Sequence, residues 1–581
     1  TATATLTGLM ISNVTDIGLS VATFTGTGGL SATDTMVTAS MGNGVQIDGY
    51  NSTTAASFTN TSIDGATLTG LVVIGSSGDI GFNTTTVANT ETGVSLGANS
   101  GTYTFDLGLT IQNDGGVGLF VSDSGIVNIL GGANVNTVDT TNGGGVYVDG
   151  TAVDMTFQSV SSTNSMDYGI FVGLGATGSF TVTGLGNDVA DKGSGGTIDN
   201  ATMDGVNISG LDTVSLTSMT VTNAGLNGVF LDGILTTALI DNFTVDTVGG
   251  DGIFAQNFNG TSQLQVTGSM VANAVNGIFA QIFGDSATAT IDNNMVTGTS
   301  ATGIHLSSLL SDGPFLITGN MVTGPGGQDG IVVVGLTPTT TGNLTVAEGG
   351  TVAGTSIFGV RAVNTAGPDM TVTFDGLEVT AAGGVGISLL TDGVGEISSS
   401  FSGVRLIGGQ DGLVIDGPNQ NIVGDTLNDT IFSGQAGNYI AFLNGALFAP
   451  GSPTEIDASE VSFDGTLGQD LTSAQILDVS NKIIDFNDTG DVGLIFFGAP
   501  QEPRDLILTI TERADVQTLT NNFRDLKCGA AQASFGWPSA GPYTFSAFNP
   551  ACSLGTADAF PEAHIFLSDF WRWYQAYYLK N

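Results

Sequence analysis

Basic residues are nearly missing from this chain: 10 Lys and Arg stand against 53 Asp and Glu in 581 residues, a formal net charge of −43. Nucleic acids and anionic membrane surfaces are held by clustered Lys and Arg, so the composition argues against both as partners. Charged residues of either sign make up only 11%, against roughly a quarter in an ordinary globular domain. Cysteine is limited to Cys528 and Cys552, and histidine to two residues, too few for a convincing four-ligand zinc site. No apolar run reaches the roughly 18 residues of a membrane-spanning helix, so no transmembrane segment is expected. The opening Thr1-Ala2-Thr3-Ala4-Thr5 has neither an initiator Met nor a basic-then-apolar leader. That start reads as a mature fragment or as a chain that has lost a signal peptide. A hydrophobic content of 41% with 32 Phe is too high for a disordered acidic chain, and the length suffices for a large core.

What is abundant is glycine, 88 residues, and it recurs in a fixed phrase: Gly, an aliphatic residue, any residue, then an aliphatic or aromatic one. The phrase reads GLSV at Gly18, GVQI at Gly44, GATL at Gly65, GVSL at Gly93, GLFV at Gly118 and GVYV at Gly145. Further copies run through GVFL at Gly228, GIFA at Gly252 and Gly277, and GIHL at Gly303, to a degraded GNYI at Gly437. The 17 occurrences lie about 26 residues apart, with steps from 21 (Gly44 to Gly65) to 36 (Gly169 to Gly205). The longest step holds the polar, Gly-rich stretch Gly186 to Asn200.

Each period carries two more apolar pulses. One precedes the glycine, as in Phe243-Thr244-Val245 and Met295-Val296-Thr297; the other follows it, as in Leu239-Ile240-Asp241 and Ala289-Thr290-Ile291. Every pulse is short and alternates apolar with Thr, Ser or Asn, the period-2 signature of a strand with one buried face. Gly, Asn, Asp and Ser clusters separate the pulses as turns. Three strands per period suit one coil of a parallel β-helix, each coil stacking on the next at about 4.8 Å, for a rod of roughly 80 Å. The recurring Gly is expected either to hold a positive φ or to admit a close backbone approach at the bend. Asn242, Asn294 and Asn320 recur between the pulse that follows one phrase and the pulse that precedes the next. They read either as tolerated turn residues or as a hydrogen-bonded ladder inside the bend.

Phrases such as Ile317-Thr318-Gly319-Asn320-Met321-Val322 followed by Asp329-Gly330-Ile331-Val332-Val333 resemble the right-handed parallel β-helix repeat family. The resemblance covers about Thr5 to Asn444 and implies an all-β, right-handed parallel β-helix. That family includes pectin and alginate lyases, tailspike glycosidases, and the secreted passengers and adhesins of bacterial surfaces. The Thr-, Gly- and Asn-rich, Lys-depleted composition is most similar to the last group.

The organisation expected is a β-helix of about 17 coils over 1–450, irregular final coils and a linker over 451–503, and a C-terminal cap or docking module over 504–581. Ala499-Pro500-Gln501-Glu502-Pro503 marks the last boundary, because two prolines oppose regular pairing. Beyond it lie six of the ten basic residues, all three Trp and both Cys. Cys528 and Cys552 are expected to form one disulfide, which closes a loop of about 23 residues and contributes roughly 3 kcal/mol on the chain-entropy model. An oxidising, extracellular location follows from that bridge. The segment from His564 to Leu579 is rich in aromatics, and Phe570, Trp571, Arg572, Trp573, Tyr574, Tyr577 and Tyr578 are read as a cap or a docking element for a neighbouring subunit.

Catalytic candidates are sparse. Asp48, Asp149, Asp232 and Asp416 each follow a phrase and precede Gly; a glycosidase would need two carboxylates about 5–10 Å apart, but turn residues are the plainer reading. Arg361 and Arg405 are the only basic candidates for a lyase, and His305 falls at the outward position of its phrase. Calcium, which takes six to eight oxygen ligands, has its best candidate in Asp485, Asn487, Asp488 and Asp491, although Phe496 stands where a closing Glu would be. Weak dispersed calcium binding along the acidic faces is the other form it could take. Most Phe fall inside strand phrases, so few aromatics are expected on the surface. The function expected is a secreted, non-catalytic structural or adhesive surface protein. It would self-associate into an extracellular filament, sheath or layer and contact or carry glycans. A polysaccharide-degrading lyase, hydrolase or tailspike-like enzyme is the alternative.

Overall fold

The computed structural model describes residues 3–485, apart from short internal stretches, and beyond them only strand backbones at 493–496, 506–509, 533–537 and 541–545. It divides into two compact units, Thr1–Ser356 and Ile357–Asn581. The chain is an all-β parallel solenoid of about 15 turns with almost no helix.

One turn of the first unit shows how the sequence builds the rest. Thr237–Asp241 and Thr244–Asp246 form two short strands joined at a sharp corner, and Ile253–Phe258 follows as the phrase strand. All three pair in parallel with their counterparts one turn on, Gln263–Thr267, Met270–Ala272 and Ile278–Phe283. Because side chains alternate, Ala238, Ile240, Val245, Ile253 and Ala255 point inward and are wholly buried. Each such aliphatic side chain contributes about 1.5–3 kcal/mol when removed from water. No turn could bury this row alone, which is why the stack, rather than any single coil, is the folding unit. Larger rings also stack inside the unit, as Phe58 on Phe82 and Phe82 on Phe105, with centroids 5.4 and 4.8 Å apart. In the second unit, Phe358–Asn364, Val385–Thr391, Asp411–Asp416 and Ile440–Leu443 pair in parallel with one another in turn.

The phrase glycine is explained by close approach and not by a positive φ. None of Gly228, Gly252 and Gly277 is left-handed; instead a Cβ on each would come within 3 Å of a valine side chain and of the next phrase glycine's carbonyl oxygen. For Gly252 these neighbours are Val271 and Gly277. The same test corrects the third phrase. Gly65 is a left-handed corner residue with φ 73°, whereas Gly70, inside the strand Thr69–Ile74, meets the Val87 side chain and the Gly93 carbonyl. The register Val45↔Leu71 confirms that GLVV, five residues beyond GATL, is the repeating strand.

Candidate functional site

Polar side chains at the corners of the first unit are organised along the stack. Just before each phrase glycine stands a column made by Asp204, Asn227, Asp251, Asn276 and Thr302. Asp204 Oδ1 accepts from both the backbone N–H and the Nδ2 of Asn227, each at 2.9 Å. Asn227 Oδ1 then accepts the Asp251 N–H at 2.9 Å, and Asn276 Oδ1 accepts the Thr302 N–H at 3.1 Å. Each side-chain oxygen thus caps a backbone donor one turn away. Burial pushes the Asp251 carboxyl up, against the hydrogen bonds from Asn276.

A second set of braces joins corner aspartates to asparagines of the following turn. Asn60 donates to Asp34, Asn89 to Asp64, Asn142 to Asp114 and Asn273 to Asp246, each at 2.7 Å. The four asparagines are left-handed, with φ between 53° and 58°, a conformation that Asn tolerates better than most residues. The Asn ladder read from the sequence is present in part. Asn294 N–H and Nδ2 both donate to Asn320 Oδ1 at 3.0 Å, Asn320 Nδ2 donates to the Ile291 carbonyl at 2.7 Å, and both side chains are buried. Asn242 sits one residue earlier in its corner, at φ 52°, and donates to Ser218 Oγ instead.

The outward face of the phrase sheet carries the most distinctive surface. The third residue of each phrase points outward, and there Phe120, Tyr147 and Phe171 form one aromatic stack, with centroids 5.2 and 4.9 Å apart. Asn207 interrupts it. Phe230, Phe254, Phe279 and His305 then form a second, with centroids 5.3, 5.0 and 4.7 Å apart. All are half-buried, so the expectation of few surface aromatics fails on this face. Phe254 and Phe279 lie within 5° of parallel, and both faces of Tyr147 and of Phe279 are covered by neighbours. Ring edges, not faces, therefore meet solvent. A sugar stacks on an open ring face, and the interior of these columns offers none. Burial pushes the His305 imidazole down, and its ring ends the second column rather than standing free on the surface.

The four candidate carboxylates each take the same place in their phrase strands, one column in the first unit for Asp48, Asp149 and Asp232, and none of these three meets another. Asp48 lies between Ala22 and Ile74, Asp149 between Ser122 and Gly173, and Asp232 between Ser209 and Gln256. Asp416, in the second unit, lies between Leu390 and Leu443. Asp232 accepts from Asn257 at 2.6 Å and Asp416 from Asn444 at 2.7 Å. Arg361 and Arg405 also stay apart in use. Arg361 lies 4.9 Å from the Phe358 ring centroid, and Arg405 pairs with Glu378 at 3.0 Å on a half-exposed surface.

One cluster carries no sequence signal. Tyr439, from the degraded phrase, donates its hydroxyl to Asp464 at 2.5 Å, and Asp464 also accepts the Gly434 N–H at 2.8 Å. The Lys482 ammonium lies 4.6 Å from the Tyr439 ring centroid and donates to the Gln435 carbonyl at 3.1 Å. Burial, with the adjacent Asp464, pushes the Tyr439 phenol well up. Burial opposes ionisation of Asp464, but the Tyr439 hydroxyl, the Gly434 N–H and Lys482 outweigh it and hold the carboxyl below its usual range. Such a locked phenol ties the last described turn together and is poorly suited to act as a base.

The side chains of the calcium candidates Asp485, Asn487, Asp488 and Asp491 lie outside the described residues. So do Cys528, Cys552 and the aromatic set Phe570, Trp571, Arg572, Trp573, Tyr574, Tyr577 and Tyr578. Among the described residues no three His, Cys, Asp or Glu side chains gather as a metal site would need, and no helix is long and apolar enough to cross a membrane. No protein-family model, curated protein or solved structure matches the chain.

Proposed function

We propose that the chain is a secreted, non-catalytic structural or adhesive surface protein. Its solenoid would assemble into an extracellular filament, sheath or layer, with its hydroxyl-rich flanks available to glycans. The observation that carries this reading is the commitment of the carboxylates. Asp34, Asp64, Asp114, Asp204, Asp232, Asp246 and Asp251 all accept hydrogen bonds from a neighbouring turn, so these seven carboxylates brace the scaffold. The aromatic columns support the same reading, since stacked cross-strand rings stabilise a sheet.

The residues 504–581 belong to this proposal as a disulfide-bearing cap or docking module. The competing reading, a polysaccharide-degrading enzyme, draws on the closeness of Asp149 and Asp232 to the aromatic columns in the same strands. Incubation of the purified chain with a panel of acidic and neutral polysaccharides separates the two. No new reducing ends and no unsaturated products are expected, and release of either would overturn the structural reading.

A further inference from the structure

We propose that Met270, Met295 and Met321 form a thioether site for one soft monovalent cation, Cu(I) or Ag(I), on the outer surface of the unit Thr1–Ser356. Each methionine opens a short strand, Met270–Ala272, Met295–Thr297 and Met321–Thr323. The parallel register sets Met270 beside Met295, and Met295 beside Met321. In all three strands the central valine is buried and the methionine is not, so three thioethers leave the same face in consecutive turns. Met321 is 41% exposed.

Threonine is the usual residue of this column. Thr197, Thr220 and Thr244 hold it in the three turns before Met270, and Thr351 takes it up again in the turn after Met321. Thr is favoured on a pleated, half-exposed surface, and an outward Met there gains little burial in return. What the three consecutive replacements do change is the donor: a hard hydroxyl oxygen gives way to a soft, polarisable sulfur. Thioether sulfur favours Cu(I), whereas carboxylate and carbonyl oxygens suit magnesium and calcium.

Spacing and charge fit the same ion. Neighbouring turns lie about 4.8 Å apart. Two sulfurs on one three-coordinate ion, each at the roughly 2.3 Å of a metal–sulfur bond, stand about 4 Å apart. Convergence of the outer two methionines on Met295 therefore asks only for a modest swing, and Met has three rotatable bonds to supply it. Ala272, Thr297 and Thr323, two residues further along the same face, are small enough to leave the thioethers room. A cation is also drawn toward a molecule of net charge −43, in a unit whose only Lys or Arg is Lys192.

Titration of the full chain with silver nitrate in chloride-free buffer tests this, with Cys528→Ser and Cys552→Ser in place to remove competing thiols. Carbon-13 methyl labelling reports on each of the 11 Met. The signals of Met270, Met295 and Met321 should shift together as one Ag(I) binds. Met295→Thr restores the column's usual residue, and Met295→Leu keeps the apolar bulk without the sulfur; each should weaken binding by roughly tenfold or more. Met166→Leu, at an isolated position 88% exposed, should leave it unchanged. Met10 and Met36 adjoin as a pair only and should respond at higher silver. Far-UV circular dichroism checks that the variants fold, and Met270→Leu with Met321→Leu serves if those at Met295 do not. Silver that moves none of the three methyl signals, that moves Met10 and Met36 first, or that binds the Met295→Leu chain as tightly as the parent would each overturn the proposal.

Discussion

Asn276 reaches Asp251 twice: its backbone N–H and its Nδ2 both donate to the same carboxylate oxygen, at 3.1 and 2.8 Å. Even so, burial dominates and raises the carboxyl's pKa. A raised folded pKa means that ionisation costs stability above it, and that this cost disappears as pH falls through it. Asp251→Asn keeps an oxygen in place to accept from Asn276 and removes the buried charge. Its midpoint of thermal unfolding should exceed that of the wild type at pH 7, and the gap should narrow in acid. Calorimetry across pH would show the convergence; a lower midpoint at neutral pH would contradict it.

Asp199 should behave in the opposite way. Hydrogen bonds from the Thr222 hydroxyl and the Asn223 amide hold its carboxyl below the usual range. It therefore contributes stability above the unfolded value of about 3.9, and that contribution is lost as pH falls through the folded pKa. Asp199→Ala should lower the unfolding midpoint at neutral pH and become indistinguishable from wild type in strong acid.

Glycine substitutions separate the two roles of that residue. Gly252→Ala puts a methyl group against Val271 and the Gly277 carbonyl, and should cost about 1–3 kcal/mol or more as overpacking. Gly97→Ala meets nothing within 4 Å and has no positive φ, so it should be neutral or stabilise by up to about 1 kcal/mol. Denaturant titration of the two variants should show this contrast.

Asn294→Ala should be among the more damaging polar changes. It leaves the Ser269 N–H and the Val266 carbonyl without their side-chain partner in a buried corner. Unpartnered buried groups of this kind cost about 1–3 kcal/mol each.

The two classes of aromatic should also part. Phe82→Ala, inside the stack between Phe58 and Phe105, should cost about 3–5 kcal/mol. Phe254→Ala on the half-buried outer column should cost less, with the stacked pair itself worth about 0.5–1.5 kcal/mol. Equal losses at the two sites would mean that the outer column is covered by something in solution.

Much of this fold is legible in the sequence because its period is carried by residues that have no alternative. Inward aliphatics alternate with Thr and Ser, and a Gly stands wherever two turns come closest. The role of that Gly was less legible: spacing alone cannot tell a left-handed corner such as Gly65 from a steric one such as Gly70. The outer aromatic columns were readable, since GLFV, GVYV, GIFV, GVFL and GIFA place the ring at the outward position. The Asp204–Thr302 column is readable too, as the residue before each phrase Gly. Tyr439, Asp464 and Lys482 were not readable. They converge from separate segments, and only the coiling of the chain brings them together.

Ile253–Phe258 matches Ile278–Phe283 almost residue for residue, with Phe254 over Phe279 and Gln256 over Gln281. A duplicated block of this kind would find matching neighbours above and below, so genetic slippage could lengthen the molecule without redesigning any contact. Length would then be open to selection as a variable of its own, separate from thermal robustness.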